Sequence, residues 1–153
     1  MNIALVILHA DPARGGAERY TVDLAVALVK RGHDVSLLAS SFADGLELPG
    51  VRRGVMRVKS FTRVGRYHQF LNSVDENLSG AKYEIVHAML PVRECDVYHP
   101  HAGLALTQAR RTGLRMVFAP RRWAMARVER QLLSGDEKQP PPVVLSLSEY
   151  VKA

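Results

Sequence analysis

The chain has 153 residues and a formal net charge of +6, with 47% hydrophobic and 24% charged residues. That length and balance describe one soluble domain able to bury a core, and they exclude wholesale disorder. No apolar run approaches the roughly 18 residues of a membrane span, and no basic region precedes the short apolar stretch at the amino terminus.

The first forty residues carry the clearest pattern. An apolar run, Ile3 to Leu8, leads to the pair Gly15 and Gly16, then to an amphipathic segment ending at Arg31-Gly32, then to a second apolar run, Val35 to Ala39. This is a strand, a glycine turn, a helix and a strand, the unit of parallel sheets, whose ligand sites lie at the carboxyl ends of strands. Tyr20, Leu24, Ala27 and Leu28 recur at spacings of three and four, giving the expected sheet-facing stripe. Lys30, Arg31 and Gly32 suit the helix end, Gly32 as a left-handed terminator, and Glu18 lies where a carboxylate caps the first turn.

Glycines at such a turn permit positive φ and let an anion approach the backbone, while a helix amino terminus supplies free N–H groups that suit phosphate. A plain tight turn accounts for the pair equally well. After Gly16 come Ala17, Glu18 and Arg19, so the dinucleotide spacing G-x-G-x-x-G is missing, and no P-loop Gly-Lys-Ser/Thr occurs. The chain therefore fits neither nucleotide dehydrogenases nor P-loop phosphotransferases.

Beyond Ala39, a loop rich in Ser, Gly and Asp precedes an expected strand at Gly54 to Val58, a polar helix from about Gly65 to Leu78 and a strand from Tyr83 to His87. A short run, Asp96 to Tyr98, enters His99-Pro100-His101-Ala102-Gly103. Helical segments bent at Pro120 follow to about Leu133, then Pro140 to Pro142 and a last strand, Val143 to Leu147. The alternation predicts a doubly wound, mainly parallel α/β sheet. Ser148 and Glu149 read as a capped helix start with no helix after it, so we expect a cut at a domain boundary.

Basic residues gather at Arg52, Arg53, Arg57, Lys59, Arg63 and Arg66, and again at Arg110, Arg111, Arg115, Arg121, Arg122, Arg127 and Arg130, where Glu129 is the single acid. Leu114, Met116, Val117, Phe118, Trp123 and Met125 lie among the second group. Such a mixture suits an element resting on an anionic bilayer, a site for acidic sugars or lipid phosphate, or a solvated basic face. Nucleic-acid binding motifs are lacking, and no nucleic-acid partner is expected. Cys95 stands alone, which makes a reducing cytoplasm the expected compartment. His87, His99 and His101 have no Cys or carboxylate at close ligand spacing, and no Asp-x-Asp motif occurs, so no metal is expected.

The opening strand, the turn Gly15-Gly16-Ala17-Glu18-Arg19, the segment Arg31-Gly32-His33-Asp34-Val35 and the closing Ser146-Leu147-Ser148-Glu149-Tyr150-Val151 resemble the amino-terminal domain of family 4 glycosyltransferases with the GT-B fold. Val58-Lys59-Ser60-Phe61-Thr62, Asp96-Val97-Tyr98 and the arginine-rich helices are similar to the lipopolysaccharide core glucosyltransferase branch, which adds a hexose to an inner-core heptose. The resemblance covers nearly the whole chain.

It implies a retaining enzyme of two Rossmann-like domains, with residues 1–153 holding the acceptor and an absent carboxy-terminal domain gripping most of the nucleotide sugar. It places Gly15 and Gly16 near the donor diphosphate, with Arg14 and Arg19 adding charge. It puts His101, or alternatively His99, near the reacting sugar. Arg110, Arg111, Arg115, Arg121, Arg122 and Trp123 would face the membrane or the acceptor, and the enzyme would sit on the inner face of the cytoplasmic membrane. In an extended segment His99 and His101 alternate, so only one ring would face the cleft. The rival reading is a non-catalytic basic module that docks on an acidic membrane or a partner subunit.

Overall fold

Alternation along the opening strand decides how the domain is layered. In the computed structural model, which describes residues 1–101, 103–107, 119–135 and 140–146, strand β1 (Asn2–Val6) buries every residue after Asn2. Ile3, Leu5 and Ile7 join one apolar cluster and Ala4 and Val6 another, because successive side chains leave a strand on opposite sides. A strand apolar on both faces needs a helical layer on each, as parallel sheets provide.

The remaining elements are β2 (His9–Ala10), α1 (Gly16–Lys30), β3 (Asp34–Ala39), β4 (Ser41–Phe42), β5 (Arg52–Val55), α2 (Arg63–Gly80), β6 (Ile85–Ala88), β7 (Val97–Tyr98), α3 (Pro120–Ser134) and β8 (Val143–Val144). The main sheet runs β5-β3-β1-β6-β7-β8 with every pairing parallel. From β1 the chain winds outward through β3 to β5, then crosses back to β6 beside β1. Ile3 thus pairs with Val35 on one side and Ile85 on the other. The order reverses between β1 and β6, and the crevice at their carboxyl ends is the place where such sheets bind ligands.

The expected doubly wound sheet is present, with several local differences. First, α1 buries Thr21, Val22 and Ala25, while Tyr20 is 37% exposed. Thr21 Oγ1 donates to the carbonyl of Ala17 at 2.7 Å, so its hydroxyl is satisfied and these compact side chains let the helix close on the sheet. The stripe is rotated from the expected Tyr20, Leu24, Ala27, Leu28 face, and Tyr20 is released toward the carboxyl edge. Second, β2 and β4 form a separate parallel pair inside what reads as loop, because two-residue strands leave no periodicity to detect. Third, Pro120 begins α3, where its missing N–H costs nothing and its fixed φ suits the first turn. The expected bend before Pro120 and the helix start at Ser148 lie outside the described residues.

Gly32 adopts φ 84° and ends α1 as expected. Thr62 caps α2, its Oγ1 accepting from Gly65 N at 3.0 Å, so that helix starts two residues earlier than the pattern suggests. On the second face Tyr67, Phe70, Leu71 and Val74 of α2 pack with Val128 and Leu132 of α3. A large apolar side chain buried in this way contributes about 1.5 to 3 kcal/mol. No helix among the described residues is long and apolar enough to cross a membrane.

Candidate active site

Every strand of the main sheet points its carboxyl end to one edge, and the chemistry-bearing side chains gather there. Past β1 the ladder continues: Ile7 N donates to Leu38 O at 3.0 Å and Ser40 N to Leu8 O at 3.0 Å. His9 then meets Ser41 Oγ through Nδ1 at 2.8 Å. Asp11 closes the next turn, its Oδ1 accepting from Ala13 N at 3.0 Å and its carbonyl from Arg14 N at 3.0 Å. Gly15 follows as extended backbone and Gly16 is the first residue of α1.

Neither glycine uses the left-handed region that the residue type permits: Gly15, at φ 171°, is extended and Gly16 is helical. Their value is space. A Cβ on Gly16 would meet no atom within 4 Å, whereas one on Gly15 would lie 3.0 Å from Glu18 Oε2. The amino end of α1 has no side-chain cap; Glu18 contributes charge in the first turn, without the capping hydrogen bond expected of it. The turn is therefore open beside Gly16, with helix-end amides at hand.

The histidines form a stack. His99 lies on His101 with ring centroids 4.1 Å apart, His87 stacks on His99 at 5.7 Å, and Tyr20 sets its ring against His99 at 5.1 Å and His101 at 4.9 Å. Alternation does not separate His99 from His101, because β7 ends at Tyr98 and the chain turns: Gly103, at φ 81°, donates to Pro100 O at 3.0 Å. Both candidate rings thus share one side. His87 Nε2, His101 Nε2 and both nitrogens of His99 are buried without a hydrogen-bond partner.

Burial, with repulsion from His99 and His101, pushes His87 down to about 4. Burial also lowers His99 and His101, and at His101 the Glu18 carboxylate partly opposes the fall. At neutral pH the stack is uncharged, and each ring keeps one donor and one acceptor nitrogen. The rings face one another with their flat sides, and no group of three or more His, Cys, Asp or Glu among the described residues is arranged to hold a metal ion.

Glu129 is fully buried, not part of a solvated basic face. Its Oε1 accepts from Tyr98 Oη at 2.5 Å and Ala105 N at 2.9 Å, and its Oε2 from Leu106 N at 2.7 Å. These bonds tie α3 to the end of β7 and to the backbone just past His101. Arg122 helps line a small cavity of about 100 Å³ with Tyr98, Pro100, His101 and Gly103. A wider groove of about 820 Å³ runs along α2 and α3, lined by His68, Arg93, Trp123, Arg127 and Arg130. Trp123 is 51% exposed. Arg19 is exposed on α1, and Arg110, Arg111 and Arg115 lie outside the described residues. Burial pushes the Cys95 thiol up to about 12, which makes it inert.

A family model described as Glycosyltransferase Family 4 matches residues 14–135, from the arginine before the glycine turn to the end of α3. The chain belongs to glycosyltransferase family 4. The crystal structure of WaaG, described as a glycosyltransferase involved in lipopolysaccharide biosynthesis, superposes with a TM-score of 0.83 at 20% identity, over 96% of this chain and 39% of that one. The chain therefore spans well under half the length of that structure. No curated protein matches it. The family assignment and this likeness bear out the expected Rossmann-like amino-terminal domain of a GT-B fold. Tyr20, His9 and Glu129 join the cluster at this edge without a sequence signal. Tyr20 fitted a core stripe, His9 stood alone, and the single acid among arginines looked solvated.

Proposed function

We propose that this chain is the acceptor-side, amino-terminal domain of a retaining family 4 glycosyltransferase. The whole enzyme moves a hexose from a nucleotide sugar to an envelope glycolipid or polysaccharide of lipopolysaccharide-core type. The observation that carries the reading is the neutral, unpartnered histidine stack beside the open Gly15-Gly16 turn at the sheet's switch point.

In the transfer, the bond between the anomeric carbon and the donor phosphate breaks with its electron pair going to the diphosphate. The acceptor oxygen bonds to that carbon and gives up its proton to the departing diphosphate oxygen. Charge therefore grows on the leaving group, which the amino end of α1 and Arg14 stabilise. His101 accepts a hydrogen bond from a sugar or acceptor hydroxyl, a role open to an imidazole that is neutral at pH 7. His99 is the alternative. A carboxy-terminal domain outside this chain grips the nucleotide, and no metal ion takes part.

Arg122, Trp123 and the arginines of α3 face the acceptor or the anionic inner surface of the cytoplasmic membrane, where basic side chains and an exposed indole suit the interface. The test is a transfer screen of the full-length product over a panel of nucleotide sugars with envelope lipid extract as acceptor. Turnover of one donor supports the transferase and names its sugar. Silence from a folded two-domain protein favours a docking module. Gly16→Val sharpens the assignment of the turn: open space at that position predicts an unchanged Tm, with transfer reduced by blocking the donor.

A further inference from the structure

The histidine stack holds its shape without a hydrogen bond at the ring nitrogens it buries. His99 is 3% exposed and both of its nitrogens lack a partner, as do Nε2 of His87 and Nε2 of His101. An imidazole that has to present one nitrogen is ordinarily fixed by a hydrogen bond at the other. His99 has no such bond. Its backbone N donates to Ala88 O at 2.8 Å, which holds the main chain and not the ring. Ring packing therefore sets the orientation of these side chains.

One ring in that packing comes from another element. His99 and His101 lie nearly parallel, at 24° and 4.1 Å, and His87 and His99 at 14° and 5.7 Å. Parallel contacts do not distinguish a ring from the same ring turned over, since both fill the same outline. Tyr20 of α1 instead crosses His99 at 82° and 5.1 Å, and His101 at 58° and 4.9 Å. Crossed rings set the positive edge of one against the negative face of the other. In a neutral imidazole one edge carries an N–H and another a bare nitrogen, so a crossed partner favours one orientation where parallel partners favour none.

Tyr20 also joins the stack to the glycine turn. It lies four residues after Gly16 and so on the same face of α1, and a helical side chain leans back over the turn before it. Gly16 leaves that turn open. Thr21, Val22 and Ala25 bury the helix against the sheet, while Tyr20 is 37% exposed. The domain therefore does not need this ring to fill its core, and its contacts are with the two candidate histidines.

We propose that Tyr20 is the positioning residue of this site: its ring holds His99 and His101 in the orientation that presents His101 to the sugar or acceptor hydroxyl, and α1 sets their distance from the phosphate turn. The proposal rests on the transferase reading for what the stack does. The ring carries the role and the phenol hydroxyl does not, which separates two variants. Tyr20→Phe keeps a crossed ring. Tyr20→Leu keeps apolar bulk without one. In the full-length enzyme Tyr20→Leu lowers kcat about threefold to tenfold, the factor that corresponds to losing a crossed aromatic contact, with both KM values within about twofold. Tyr20→Phe stays within about twofold of the wild type. Equal losses in the two variants, or an unchanged kcat in Tyr20→Leu, overturn the proposal.

A second arm needs no turnover, so its failure is distinct from failure of the transferase reading. The same proteins are isotope-labelled at histidine only and their imidazole resonances recorded by NMR, those of His99 and His101 being assigned from His99→Gln and His101→Gln. The wild type and Tyr20→Phe give one sharp set for each ring. Tyr20→Leu gives broadened or doubled sets while Tm stays within a few degrees, because the residue is not part of the core. A single sharp set in Tyr20→Leu shows that the histidines orient one another, and several sets in the wild type show that nothing orients them; either result overturns the proposal. The expected contrast from an enzyme silent in transfer faults the transferase reading and leaves the hold of Tyr20 on the stack in place.

Discussion

The two edges of one parallel sheet handle their polar groups in opposite ways. At the amino edge the groups satisfy one another. Glu84 Oε2 accepts from Asn2 N at 2.6 Å, Asn2 Nδ2 donates to Lys82 O at 2.6 Å, Arg52 reaches Asn2 Oδ1 at 2.8 Å and Ser36 Oγ at 3.2 Å, and Asp96 Oδ2 accepts from Val86 N at 2.7 Å. At the carboxyl edge three histidines bury nitrogens with no partner. Buried polar groups are rarely left unsatisfied without a reason. The sheet pairs its polar groups at the amino edge and leaves buried imidazole nitrogens unpaired at the carboxyl edge.

The strongest way to break that comparison is at the histidine stack. His101→Ala in the full-length enzyme is expected to lower turnover by about 10² to 10³, the range for losing one positioned hydrogen bond in the transition state, and His99→Ala by less. Equal losses in the two variants, measured as kcat, would remove the distinction between the rings and assign the role to the stack as a unit.

Glu129 sharpens the comparison, because it is a buried carboxylate at the carboxyl side whose contacts are complete. Glu129→Ala strands the hydroxyl of Tyr98 and the amides of Ala105 and Leu106. The expected cost is about 3 kcal/mol or more, read as a fall in Tm of roughly 10 °C. A near-neutral Tm would show that the chain beyond His101 is not held by this carboxylate.

Acid should find the carboxyl edge first. The unfolded chain carries histidines that titrate near 6.5, while the folded stack holds His87 at about 4 and lowers His99 and His101. The unfolded state therefore binds more protons over that interval. Stability is complete above pH 6.5 and is lost as pH falls toward about 4, with His87 contributing about 2 to 3 kcal/mol. His87→Phe should flatten this slope in denaturant titrations at pH 7 and pH 5. An unchanged slope would place the acid sensitivity elsewhere.

The smallest effect belongs to the amino edge. Arg52→Ala removes one exposed and one part-buried hydrogen bond, and an expected loss of about 0.5 to 1 kcal/mol in denaturant unfolding should leave transfer untouched. A transfer defect in that variant would mean that the two edges are coupled.

The sequence by itself determined the architecture. Apolar runs at β1, β3 and β6, the helical period between them, and Gly32 as a terminator are local signals, and each depends on residues within a turn or two of chain. The open turn at Gly15 and Gly16, the histidine pair after β7 and the basic α3 were also legible, since composition and spacing mark them. The tertiary structure alone decided how these parts meet. The pairing of His99 with His101 depends on where β7 ends. Tyr20 reaches the stack because small residues rotate α1 on the sheet, and Glu129 is buried because three donors from two other segments converge on it. Apart from the histidine pair, these contacts join residues tens of positions apart, and periodicity, which reads only neighbours along the chain, carries no record of them.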